Sequence, residues 1–234
     1  MIGPLELPDI PRWVEAHGIA ADPQSWRQVL GDGFAVGNDR ARLVVVAGNA
    51  SAAAVAALAA ARPAHALLVA FERADLAAAT GRQVARAVLH TLPAAPPGHG
   101  DREHAAHPGP LADGEPGAVE LPSEVSLAHL PPALAEELAA ARPHRAIWTA
   151  FLDDAPVAFA YAPWRSARWF DASVDVLPGA RQLGLGRLVA AAMIRGEQAL
   201  GRAPVWGADE GNAASLRLAR ALGFVAVDEI WVAA

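Results

Sequence analysis

The chain has 234 residues, 53% of them apolar and 19% charged, a composition that fits a packed globular protein and excludes a disordered one. Its formal net charge of −6 argues against a general nucleic-acid binder, which needs a basic footprint. With no cysteine, a disulfide, a thiolate metal site and a thiol nucleophile are all excluded.

The N-terminal stretch "MIGPLELPDIPRWVEAH" has acids and prolines where a secretory leader has a basic start and an apolar run, so a cytoplasmic location is expected. The uncharged run Leu43 to Ala61 approaches membrane-spanning length. Its centre is "AGNAS" and its second half is mainly alanine, so it reads as strand, turn and helix, and no membrane partner is expected. "RLVVVAG" and "ALLVAFE" read as buried strands flanking the helix "SAAAVAALAAA", and "ADLAAATGRQVARAVLHTL" reads as a second helix. Residues 1–92 are therefore expected to form an N-terminal α/β region whose sequence names no chemistry.

Residues 93–117 are rich in Pro, Gly, His and acids and read as a linker or long loop. They carry His99, His104 and His107; in such a segment, without packed partners behind the imidazoles, no metal site is expected. Residues 118–234 form the second domain. A helix is predicted from near Pro131. Three strands follow, "RAIWTAFL", "APVAFAYA" and "RWFDASVDVL", joined by short turns as an antiparallel meander. A helix from Gly184 to near Gly201, the strand "APVWGA", a helix from Asn212 to Leu222 and the strand "FVAVDEIWV" complete the chain.

Between the meander and the next helix lies "PGARQLGLG", residues 178–186. A helix N-terminus offers unsatisfied N–H groups and partial positive charge, which suit an anion, and glycine lets the backbone approach it closely. A P-loop needs Lys and then Ser or Thr after its last Gly, but Leu185 follows Gly184. The dinucleotide fingerprint needs Gly or Ala three positions past its second Gly, and Val189 stands there. What remains is Arg-x-x-Gly-x-Gly after a strand, or else a glycine-rich turn with no ligand. A second segment, "NAASLRLARALGF" from Asn212 to Phe224, lies one helix and one strand further on.

These two segments, in this order, resemble the GNAT superfamily of N-acetyltransferases. The stretch "PVWGADEGNAASLRLARALGF" is similar in particular to a bacterial group with an extra N-terminal region. The resemblance covers Ala146 to Val232. It implies an α/β (α+β) fold with a mixed, mostly antiparallel, splayed sheet and helices on both faces. It also implies acetyl-CoA as co-substrate, a small amine as acceptor and no metal, and it leaves a homodimer open. Val174 and Val176 match the strand whose backbone bonds the pantetheine amides. The N–H groups of Gln182, Leu183, Gly184, Leu185, Gly186 and Arg187 match the pyrophosphate cradle, with Arg181 opening the loop. Asn212 matches the residue that bonds the pantetheine arm, and Ser215 lies one turn on.

The chain departs from the family where the resemblance implies a general acid. The usual tyrosine follows the Leu of the second motif; here Ala219 follows Leu218, and the only tyrosine is Tyr161. Asp209, Glu210 and Asp171 are the candidate carboxylates for the base. Strict alternation puts Phe170, Ala172 and Val174 on one face and Asp171, Ser173 and Asp175 on the other, unless a bulge intervenes. Two functions lead, ahead of a binder of another phosphorylated nucleotide, against which the failed Lys and third-Gly positions count. One is acetyl transfer from acetyl-CoA to an amine by direct attack on the thioester. The other is a non-catalytic acyl-CoA-binding sensor, which Ala219 favours. The seventh strand usual in the family is missing after Val232, to be supplied by the N-terminal half, by a partner, or not at all. Trp148, Trp164, Trp169 and Trp206 are expected in the core rather than in an acceptor pocket.

Overall fold

A computed structural model describes residues 5–69, 76–93 and 117–234. His99, His104 and His107 and most of the predicted linker lie outside the described residues.

A single helical turn, Pro11–Trp13, leads into α1 (Val14–Ala21). The strands β1 (Ser25–Leu30) and β2 (Asp32–Asn38) form a hairpin that turns at Gly31, whose φ of 68° glycine adopts without strain. β3 (Leu43–Asn49) pairs with β2, and α2 (Ala52–Ala61) crosses to β4 (Ala66–Val69), which runs parallel to β3. The uncharged run from Leu43 is thus strand, turn and helix, and among the described residues no helix is long and apolar enough to cross a membrane.

The predicted second helix is corrected by the structure. Only α3 (Leu76–Thr80) forms; the Thr80 hydroxyl donates to the Leu76 carbonyl, and Gly81, at φ 66°, ends the helix. Val84 to Thr91 is instead a strand, β5. Its Val84–Val88 spacing also fits a helix, but β-branched residues and pairing along both edges decide for the sheet.

The second half opens with β6 (Val119–Glu120) and α4 (Pro132–Ala141). The strands β7 (Trp148–Leu152) and β8 (Ala155–Tyr161) turn at Asp153 and Asp154, both in the left-handed region that a tight hairpin requires. The strand predicted as one piece from Arg168 is two: β9 (Trp169–Asp171) and β10 (Ser173–Val176). β9 runs parallel to β11, whereas β10 pairs with β8. After a turn at Pro178–Ala180 come α5 (Leu185–Ala199), β11 (Ala203–Asp209), α6 (Ala213–Ala221) and β12 (Val225–Ala233).

The main sheet has eight strands in the order β1-β2-β3-β4-β12-β5-β11-β9, and a four-stranded sheet runs β10-β8-β7-β6. β5, from the N-terminal half, lies between β11 and β12 and is antiparallel to both. It fills the place of the strand missing after Val232. In return β12 lies between β5 and β4. Each half thus lends its last strand to the other, and one sheet runs through both.

Both faces of the main sheet are covered. α2 packs with Val44, Val46, Leu67 and Val69, and α5 packs with Phe170, Trp206 and Ala208. α1 packs on the opposite face, against Val36, Val45 and Ala47 through Ile19 and against Val205 and Trp169 through Val14. In the small sheet, α4 packs with Ile147, Phe159 and Tyr161.

Candidate active site

The two sheets part at Ala172. Its N–H donates to the Val205 carbonyl at 3.0 Å, the last bond before β10 turns to β8 and β11 continues beside β5. Past this apex β10 has no partner on its β11 side among the described residues. No bulge intervenes on the way. Phe170, Ala172, Val174 and Val176 pack on the α5 face, which leaves Asp171, Ser173 and Asp175 on the other.

The loop 177–184 sits at the open end of this gap. Gln182 and Gly184 are left-handed, with φ of 65° and 78°, and Gly184 starts α5 with no side-chain cap. The amides of Gln182, Leu183, Gly184, Leu185 and Gly186 find no acceptor among the described residues, while those of Arg187 and Leu188 both bond the Gly184 carbonyl. Of the expected cradle, the Arg187 amide is therefore already committed. Two left-handed residues flanking Leu183, at the start of a fifteen-residue helix, give the remaining N–H groups a geometry that suits an anion. Gly186 lets the backbone come close: a Cβ there would stand 3.2 Å from Val176 Cγ2 and 3.4 Å from Leu218 Cδ2. Arg181 donates through Nε to the Val176 carbonyl at 3.3 Å, so the loop's arginine is tied to the strand it follows.

Asn212 caps α6, its side chain accepting from the Ser215 amide at 3.1 Å. The Ser215 hydroxyl in turn accepts from Trp206 Nε1 at 2.9 Å, so it points at the sheet. Ala219 is fully buried in the same cluster as Trp206 and Phe224. The predicted carboxylates near this end have structural partners. Asp209 accepts from the Gly211 amide at 2.7 Å and, through its carbonyl, from the Asn212 amide. Glu210 is held by Arg86, which also bonds Glu229 on the surface.

Asp171 has different surroundings. It lies one residue before the apex, its side chain on the face covered by α1, where Glu15 is 8% exposed. Glu15 bonds no neighbouring residue among those described. Burial raises both carboxyls well above the usual range, and the charge of Asp171 raises Glu15 further. On the same face Tyr161 donates to Glu137 of α4, and Ser173 stands directly across from Tyr161. Burial, then the Glu137 bond and charge, push the phenol up; burial and Glu137 also raise Asp175. Glu15, Glu137 and the Tyr161–Ser173 pairing were not singled out in the sequence. A lone acid inside the apolar run "RWVEAHGIAA" was the one available signal for the first.

Among the described residues no group of three or more His, Asp and Glu is placed to hold a metal ion. Trp148, Trp164, Trp169 and Trp206 all pack within hydrophobic clusters.

Residues 149–232 match the model of the GNAT acetyltransferase family. An acetyltransferase of the GNAT family from Novosphingobium aromaticivorans shares the fold, with a TM-score of 0.60 and 18% identity over 96% of each chain. A GCN5-related N-acetyltransferase from Kribbella flavida does so with a TM-score of 0.61 and 18% identity, over 95% of this chain and 93% of its own. A GNAT-family acetyltransferase from Colwellia psychrerythraea has a TM-score of 0.53 and 10% identity over 95% and 93%. No curated protein matches the chain.

Proposed function

We propose that this chain, with its GNAT fold and a GNAT acetyltransferase segment at residues 149–232, transfers an acetyl group from acetyl-CoA to the amine of a small molecule. One observation carries the reading: a row of amides, Gln182 to Gly186, without acceptors among the described residues, at the mouth of the gap between β10 and β11. Backbone donors without partners are costly unless water or a ligand takes them, and a pyrophosphate is the ligand whose charge and spacing they fit. The open edge of β10 at Val174 and Val176 would bond the pantetheine arm, and Asn212, its side-chain amide nitrogen without an acceptor among the described residues, would bond it from the other side.

The co-substrate supplies an activated acetyl group as a thioester. The chain's own part is to hold it, bring an amine within reach from the opposite face and take a proton from that amine. The Asp171 face, with Tyr161 and Ser173 beyond it, is the side left for the acceptor.

A non-catalytic acyl-CoA sensor is the second reading, and the buried Ala219 favours it, because no phenol stands there to return a proton to the thiolate. Calorimetric titration with acetyl-CoA and with CoA, on the protein and on Gly184→Trp, tests both readings. Space is open around Gly184, so the indole fills the seat and binding is lost. Thiol release with a panel of primary amines separates enzyme from sensor. If the unmodified protein binds neither ligand, both readings fall.

A further inference from the structure

A carboxyl nine-tenths buried in a helix whose one other polar side chain is His17, and bonded among the described residues only by its own backbone, is expensive and calls for an explanation. Glu15 belongs to α1, outside the segment that matches the family model. It is aimed by a close contact one turn further along. Gly18 lies against the backbone of Trp164 and Arg165, where a Cβ would stand 2.8 Å from Trp164 Cβ. The Trp164 carbonyl accepts from the Asp171 amide at 2.9 Å, so the loop that seats α1 is tied to Asp171 itself. Residues three apart share a helix face, and Glu15 is therefore turned toward β9. On its other side Val14 packs with Val205, the residue that pairs with Asp171.

Resting on the acetyl-transfer reading above, we propose that Glu15 is a positioning residue. Placed beside Asp171 by the N-terminal half, it makes Asp171 the proton acceptor for the incoming amine. An alkyl ammonium gives up its proton near pH 10, and a carboxylate of ordinary strength is a poor base for it. A second carboxyl on the same face in an apolar setting would keep one proton on the pair near neutrality, as paired acids do. Glu137 on α4 and Asp175 on β10 add negative charge on this face, with Tyr161 on β8 held by Glu137. Two nearby cations are committed elsewhere: Arg165 pairs with Glu197, and Arg145 donates to the Ala162 carbonyl.

The step balances. An N–H proton of the ammonium passes to an Asp171 oxygen, and the freed lone pair forms the C–N bond at the thioester carbonyl. The C–S bond breaks with its electrons on sulfur, and a second N–H proton ends on that sulfur as free thiol. The Asp171 proton returns to solvent when the amide leaves.

The test is a carbon-13 NMR titration of side-chain carboxyls in the full chain labelled at Asp and Glu, from pH 4 to 9, on the protein, Glu15→Gln, Glu15→Asp and Asp171→Asn. Asp171→Asn assigns the signal. Asp171 is expected to titrate above about pH 6, to fall by about one pH unit or more in Glu15→Gln, and to stay raised in Glu15→Asp. An Asp171 midpoint near the ordinary carboxylate value, or one that Glu15→Gln leaves in place, overturns the proposal. Acetyl-CoA calorimetry on the same samples keeps the two ideas apart. Binding with a normal Asp171 sinks only the Glu15 role, and a raised Asp171 without binding sinks only the acetyl-transfer reading.

Discussion

The chain contains the same strand–helix–strand unit twice, and the two copies differ where a ligand would matter. In the N-terminal copy, β3 and β4 stay paired from Leu43–Ala66 to Val46–Val69, and Ser51 caps α2 with its own side chain, accepting from the Ala54 amide at 3.2 Å. In the C-terminal copy the parallel pairing lasts only from Trp169–Ala203 to Asp171–Val205, the strand then swings to another sheet, and α5 starts with no side-chain cap. The first unit closes its gap with β2 as well: a Cβ on Gly33 would stand 2.6 Å from the Ala47 carbonyl. A satisfied helix end and a closed sheet make a brace. An unsatisfied end and an open sheet make a seat.

The largest expected effect comes from breaking what joins the copies. Leu89 is fully buried on β5, between β11 and β12. Leu89→Ala is expected to cost about 2–5 kcal/mol. Because the halves share strands, circular dichroism and tryptophan fluorescence should report one coincident urea transition. Two separate transitions would show the halves to be independent.

Next in size is the pH response of the carboxyls that meet across the copies. In the folded chain Glu15 and Asp171 hold their protons more tightly than they do unfolded. They favour the fold below the ordinary carboxylate range, and that stability is lost as pH rises through their raised values. The urea midpoint should therefore fall from mildly acidic to slightly alkaline pH, and Glu15→Gln should flatten the fall. An equal slope in the variant would remove Glu15 from the account.

Much of this was legible in the sequence because local rules and tertiary structure agreed. "PGARQLGLG" and "NAASLRLARALGF" are each confined to one turn and one helix, and each lies where the element order put it. The reading failed at Val84–Thr91, where a helical spacing was overruled by two strands remote in sequence. It failed again at Glu15, because nothing local says that α1 reaches β9. The break at Ala172 was equally hidden: alternation runs through it undisturbed, and only the choice of partner changes.

Smaller effects sharpen the contrast of brace and seat. Gly184→Asp puts a carboxylate among the loop amides, and acetyl-CoA affinity measured by calorimetry should fall at least about tenfold, or about 1.4 kcal/mol. Asp tolerates the left-handed conformation, so the fold should survive. Ser51→Ala removes the brace's cap and should cost about 1 kcal/mol of stability while leaving acetyl-CoA affinity unchanged. A loss of affinity in Ser51→Ala would mean that the N-terminal copy is no mere support.

The exchange of last strands also sets an order on synthesis. β4 keeps one edge open until β12 exists, and β12 is made after every other described element. β5 must likewise wait for both β11 and β12. The N-terminal half therefore leaves the ribosome with an unpaired strand edge and cannot close its sheet while translation continues, so the nascent chain is exposed to mispairing for most of its own production.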